Sequence, residues 1–265
     1  MSESSSGPRA ASRWLSRQSA LLVLLLSVLT LVAWVFLLGL ARRMATPGGM
    51  LEMAMAGMPM PWTFRDALLM FAMWSIMMLG MMLPSATPMF LLYQHTLHQR
   101  LPADQRNLAL LLFCGAYLLV WGGFSLAATL LQWLLDQRAL LSLEMRSQKP
   151  WLGAAFLLGA GIYQLLPAKR ACLRHCQSPL QFLLAYWRPG PSGAWRMGLA
   201  HGLYCLGCCW ALMGVLFVVG LMNLLWVALI GAYVLLEKYL PGGAWLSRMS
   251  GLMLVLWGFL LLHAG

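Results

Sequence analysis

Acidic residues are what this sequence has least of. Only 7 of its 265 residues are Asp or Glu, 5 are His, and all charged residues together make up 9%. A soluble domain carries about a quarter of its residues charged, so a water-facing globule of this length is excluded. No carboxylate falls deep within an apolar stretch, which leaves a proton relay or a hard-cation cage without ligands. A phosphate-cradling Walker loop, a GxSxG elbow and a CxxC pair are absent, and the histidines do not pair across facing stretches as a bis-histidine haem requires. These gaps point away from an enzyme. There is no soluble domain with a basic stripe and interleaved aromatics, so the net charge of +11 does not indicate nucleic-acid binding.

What is present is apolar length. Hydrophobic residues make up 61% of the chain, in stretches close to the roughly 20 residues that cross a bilayer. The pattern is helical rather than alternating, so the expected fold is all-α, a polytopic transmembrane helix bundle of about seven spans (six to seven). These cover residues 20–40, 62–93, 107–135, 151–166, 194–220, 221–236 and 245–263, with a reversal at Met222-Asn223. Pro84 and Pro88 predict a break in the second span. The first stretch follows Arg9, Arg13 and Arg17 as in a signal peptide, but it is too long and lacks a small-residue cleavage site. It reads as an uncleaved span behind a cytoplasmic tail (1–19), whose first twelve residues read as disordered; residues 20–265 form one membrane domain. With the amino terminus inside, twelve of the 18 Lys and Arg fall on the cytoplasmic side, which predicts a multi-pass protein of the bacterial inner membrane. Much of the positive charge then serves topology and contact with the anionic lipid bilayer.

The stretch HGLYCLGCCW (201–210) concentrates chemistry in that apolar background. At about 100° per residue, His201, Cys205, Cys208 and Cys209 fall within an arc of about 100° and rise about 12 Å along one helix face. Thiolates favour Cu(I) or Zn(II), and imidazole suits both. Cysteine is also a common small apolar filler, and Gly198, Gly202, Gly207 and Gly214 predict close packing of this helix on a neighbour. One helix cannot surround an ion, so a second element must contribute.

Two candidates exist. In YQLLPAKRACLRHC (163–176) a span ends at Pro167 and Cys172 and Cys176 follow four apart, on one face if helical; Lys169, Arg170 and Arg174 would favour their thiolates. A structural disulfide is disfavoured on the reducing cytoplasmic side. In MFAMWSIMMLGMMLPSATPMF (70–90), Met70, Met73, Met77 and Met81 keep helical spacing, with Met78 and Met82 beside them. Thioethers suit Cu(I) better than Zn(II), although methionine is also an adaptable core filler. Pro84 would free the carbonyl of Gly80. Between the first two spans, residues 44–60 hold six methionines in a predicted external loop, where thioethers remain ligands and thiols would oxidise. His95, His98 and His263 read as solvated or interfacial, Cys114 as packing, and Glu237-Lys238 as a pair reaching for the headgroups.

The ordered set Trp74-x2-Met77-Met78-x2-Met81-Met82-Leu83-Pro84-Ser85, YQLLPAKRACLRHC and GLAHGLYCLGCCWALM resembles the bacterial family of predicted metal-binding integral membrane proteins, over roughly residues 66–260. That resemblance implies a polytopic membrane fold and a metal role carried by Cys172, Cys176, His201, Cys205, Cys208 and Cys209. Gly80 departs from the pattern, where alanine is expected, and the 44–60 segment lies outside the shared motifs.

The functional expectation is a non-enzymatic membrane protein that handles a soft metal ion, Cu(I) ahead of Zn(II), in transport, delivery or homeostasis. Its metal ligands would be His201, Cys205, Cys208, Cys209, Cys172, Cys176, Met77, Met78, Met81 and Met82, and its partner a metallochaperone or a membrane complex. Two other classes stay open: a thiol-redox membrane protein and a non-catalytic subunit or assembly scaffold.

Overall fold

The computed structural model describes residues 7–44, 62–142 and 145–264. Residues 1–6 and most of the methionine-rich segment 44–60 lie outside the described residues. Among those described, ten helices account for nearly everything: α1 (Gly7–Met44), α2 (Phe64–Arg100), α3 (Ala103–Gln137), α4 (Pro150–Leu165), α5 (Pro167–Gln177), α6 (Pro179–Tyr186), α7 (Gly190–Gly214), α8 (Leu216–Val219), α9 (Leu224–Tyr239) and α10 (Gly243–Ala264). A lone bridge between Leu141 and Ser147 is the extended pairing among them. Helix α1 begins earlier than expected: Pro8 fits the start of a helix, and the Ala- and Arg-rich residues after it favour one, so residues 7–12 are helical rather than a disordered tail.

Five helices are long and apolar enough to cross a membrane, or six if the bent pair α4–α5 counts as one span. Seven was expected. The difference lies in α9, whose 16 residues rise about 24 Å, short of a hydrocarbon core of about 30 Å. The α4–α5 bend of 65° has a plain cause. Pro167 has no N–H to continue α4 but suits the first turn of a new helix.

The expected break in the second span does not occur. Helix α2 runs unbroken through Pro84 and Pro88 from a capping box in which Thr63 and Asp66 bond each other's backbone N–H. Each proline strips a hydrogen bond from the carbonyl four residues earlier. Both orphans are taken up by side chains from other helices: Gly80 O accepts from Trp34 Nε1 of α1 at 3.3 Å, and Pro84 O accepts from the Tyr239 hydroxyl of α9 at 3.3 Å. Satisfied carbonyls remove the reason to unwind.

The closest packing follows the glycines. A Cβ at Gly198 would sit 2.3 Å from the Phe113 carbonyl of α3, and one at Gly202 would sit 2.9 Å from Val120. Gly161 of α4 and Gly251 of α10 meet in the same way. Gly198→Ala should therefore cost about 1–3 kcal/mol, because the clash is with backbone and α3 must shift. Gly80→Ala should be neutral or stabilising by up to about 1 kcal/mol, since its Cβ would make ordinary 3.5 Å contacts with Ala33 and Trp34. Thermal unfolding of the two variants in detergent would test this; equal midpoints would contradict it.

Candidate metal centre

Helix α7 carries His201, Cys205, Cys208 and Cys209 into the core, each at most 4% exposed. The face predicted from spacing is the buried face. Gly198 and Gly202 let α3 approach, which sets the Tyr117 hydroxyl 3.3 Å from Cys205 Sγ and 3.4 Å from the Met82 carbonyl of α2. On the other side, Gly207 makes room for α5: a Cβ there would sit 2.8 Å from Cys172 Sγ. The Tyr163 hydroxyl donates to the Gly207 carbonyl at 2.5 Å.

With α5 seated this way, Cys176 comes close enough to interact with Cys205 and Cys208, and it shares a cavity wall with His201 and Lys238. Thiols of two helices are thus brought side by side. Cys209 also lies 3.9 Å from Met82 Sδ. Cys172 packs with its sulfur against Gly207. Of the four methionines expected as ligands, Met82 reaches a thiol. Met77, Met78 and Met81 are buried along α2, Met81 against Gly231 of α9. All six cysteines are free.

His201 stands one turn before Cys205, flanked by the rings of Phe113, Tyr117 and Phe182 at 5.6–6.1 Å. Neither ring nitrogen has a hydrogen-bond partner. Leaving a buried polar group unpaired costs about 1–3 kcal/mol, so a water or ligand at these nitrogens would be favoured. The imidazole borders a cavity of about 200 Å³ lined also by Ser85, Met89, Cys176, Gln177 and Lys238, roomy enough for water or an ion.

Among the described residues, no three or more His, Cys, Asp or Glu side chains stand preset around a metal position. The thiol orientations explain this. Cys208 and Cys209 donate back to the Cys205 carbonyl at 3.0 and 3.1 Å, the resting arrangement of protonated thiols on a helix. Holding an ion requires these side chains to rotate to another rotamer and to release protons. The donor set fits a soft metal in chemical identity.

Two charged residues correct the sequence reading. Glu237 and Lys238 do not reach for headgroups; they are 0% and 6% exposed, because α9 is too short to carry its end out of the bundle. Lys238 Nζ donates to Cys205 Sγ at 3.1 Å and to Ser85 Oγ at 2.8 Å. It is the ammonium at the thiols. Lys169, expected with Arg170 and Arg174 to favour the thiolates of Cys172 and Cys176, instead pairs with Glu237 at 2.5 Å, both fully buried. So a carboxylate does lie inside the bundle, also bonded by Ser247, with Gln164 on the lysine and Tyr233 at 3.4 Å. The legible signal was length: a charged pair closing a 16-residue apolar run has no reach to the surface.

A family model described as PpoB2, copper chaperone, matches residues 71–261. No curated protein and no solved structure matches the chain significantly. The matched region holds His201 and every cysteine described above, with Lys238 and Met82, and omits the 44–60 segment. Spanning well over half of the sequence, the match shows that this chain belongs to the PpoB2 family of copper chaperones.

Proposed function

We propose that the chain is a multi-pass protein of the bacterial inner membrane that binds Cu(I) at Cys176, Cys205, Cys208 and Cys209, with His201 beside them, and hands it on without chemical turnover. The observation that carries this reading is a cavity lined by Cys176 of α5 and His201 of α7, beside the buried α7 thiols, with an imidazole whose nitrogens have no partner. Thiolate, imidazole and the adjoining Met82 thioether form a soft donor set that favours Cu(I) over Zn(II). Membership of a copper chaperone family supports copper as the cargo.

In this reading α9, lengthened by the apolar residues before it (Leu221 and Met222), and the bent α4–α5 each cross the bilayer, giving seven spans with the basic-rich connections inside. The cavity bordered by Cys176, His201 and Lys238 then opens from the cytoplasmic half, where a metallochaperone or a membrane-complex partner meets the site. Buried methionines on α2 line the way from Cys209 to the opposite face. The test is anaerobic loading of the detergent-purified protein with Cu(I), followed by metal counting and X-ray absorption. Stoichiometric copper with sulfur neighbours is expected. Protein that retains no copper, or copper bound by nitrogen and oxygen alone, would overturn the proposal.

A further inference from the structure

The far end of α2 holds a second convergence of sulfur. Met70 lies in the second turn of α2, and Met145 follows α3 in the connection to α4. Their sulfurs point at one atom: Gln132 Nε2 of α3 donates to Met145 Sδ at 3.0 Å and to Met70 Sδ at 3.5 Å. Gln132 is 1% exposed, and its oxygen is held by Trp74 Nε1 at 2.8 Å. A methionine used as filler turns its sulfur towards apolar neighbours or aromatic edges. Here two from distant parts of the chain present lone pairs to a shared polar point, and a buried amide has two weak thioether acceptors for both its N–H bonds. Met145 also adopts φ +54, a left-handed conformation costing a non-glycine residue about 1–2 kcal/mol, which the surrounding packing sustains.

We propose that Met70 and Met145, gathered by Gln132, form a second site for a soft monovalent cation, with the Gln132 amide occupying the ion's place when the site is empty. Thioethers are neutral and need no deprotonation, so the site takes Cu(I) or Ag(I) and rejects harder ions such as Zn(II) and Mg(II). Its position suits transfer. From Met70 to Met82 is about 18 Å along α2, and Met73, Met77, Met78 and Met81 are buried between them. At the other side, Trp62 Nε1 donates to Asp136 Oδ2 at 2.7 Å, one turn beyond Gln132 on α3. This fastens Trp62, just before α2, beside the site. The identity of the physiological cargo rests on the copper reading above; the site itself rests on this geometry.

Ag(I) titration of full-length protein carrying 13C-methyl methionine, in detergent micelles, tests both independently. Signals are assigned with Met70→Leu, Met145→Leu and Met82→Leu variants. Met70 and Met145 should move together along one binding curve, and in Met145→Leu the Met70 signal should stay still over that range. Immobile or uncorrelated Met70 and Met145 signals would overturn the second site, whatever Met82 does. Met82 reports the thiol centre: if it alone moves, the thiol reading stands without the second site. If Met70 and Met145 move and Met82 does not, the second site stands and the thiol reading fails.

Discussion

Replacing Glu237 with leucine should destabilise the fold by about 3–5 kcal/mol, because it strands the Lys169 ammonium in the core. Lys169 is fully buried, and Glu237 is its ionic partner; with the carboxylate gone, the Gln164 oxygen remains as its acceptor. Lys169→Met/Glu237→Leu together should recover most of the loss, since removing both charges also removes their desolvation cost. Unfolding of the three variants in detergent decides it. A single variant no less stable than the double would mean that the pair is not buried as described. The effect should extend to the metal. Lys169 sits in the first turn of α5 and Cys176 in its last, so the pair fixes the helix that carries Cys176 to the α7 thiols. Glu237→Leu should therefore loosen Cu(I) binding although it touches no ligand, and the double variant should restore it in part.

That coupling marks the limit of what spacing reveals. Periodicity was enough for the α7 stripe, because His201, Cys205, Cys208 and Cys209 share a face in any regular helix, and i, i+4 spacing sufficed for Cys172 and Cys176 once α5 proved helical. Which of that pair reaches the thiols depends on where α5 lands, and that is set by the Pro167 bend and by Gly207. Neither is visible in a residue's own neighbourhood. The same holds for α2. Two prolines predict a break by local rules, and the helix survives because Trp34 and Tyr239, 46 and 155 residues away, cover the freed carbonyls. Methionine spacing likewise marks the buried face of α2 but not its chemistry. Met82 meets Cys209, while Met77, Met78 and Met81 share that face without reaching a thiol. The Met70–Met145 pair involves a connection with no periodicity at all.

Lys238→Met is expected to weaken Cu(I) binding about 10- to 100-fold while leaving the protein folded. Binding converts thiols to thiolates, and an anionic thiolate–Cu(I) group in an apolar bundle needs a nearby positive charge. The Lys238 ammonium, 3.1 Å from Cys205 Sγ, supplies it through a charge-assisted hydrogen bond worth about 1.5–3 kcal/mol, which converts to that fold-change at about 1.4 kcal/mol per tenfold. Methionine has nearly the same length and carries no charge, so packing beside Ser85 and Cys205 is largely kept. Its sulfur adds a soft donor, which biases the experiment against the prediction and makes a loss of affinity more telling. Cys205→Ser provides the scale. It removes the thiol that contacts Tyr117 and Lys238 at once, and should reduce affinity at least as far. Competition with a Cu(I) chelator of known affinity, at fixed pH and without oxygen, measures both. If Lys238→Met binds Cu(I) as tightly as the parent, the ammonium plays no part in holding copper, and its contact with Cys205 serves only to satisfy a buried lysine.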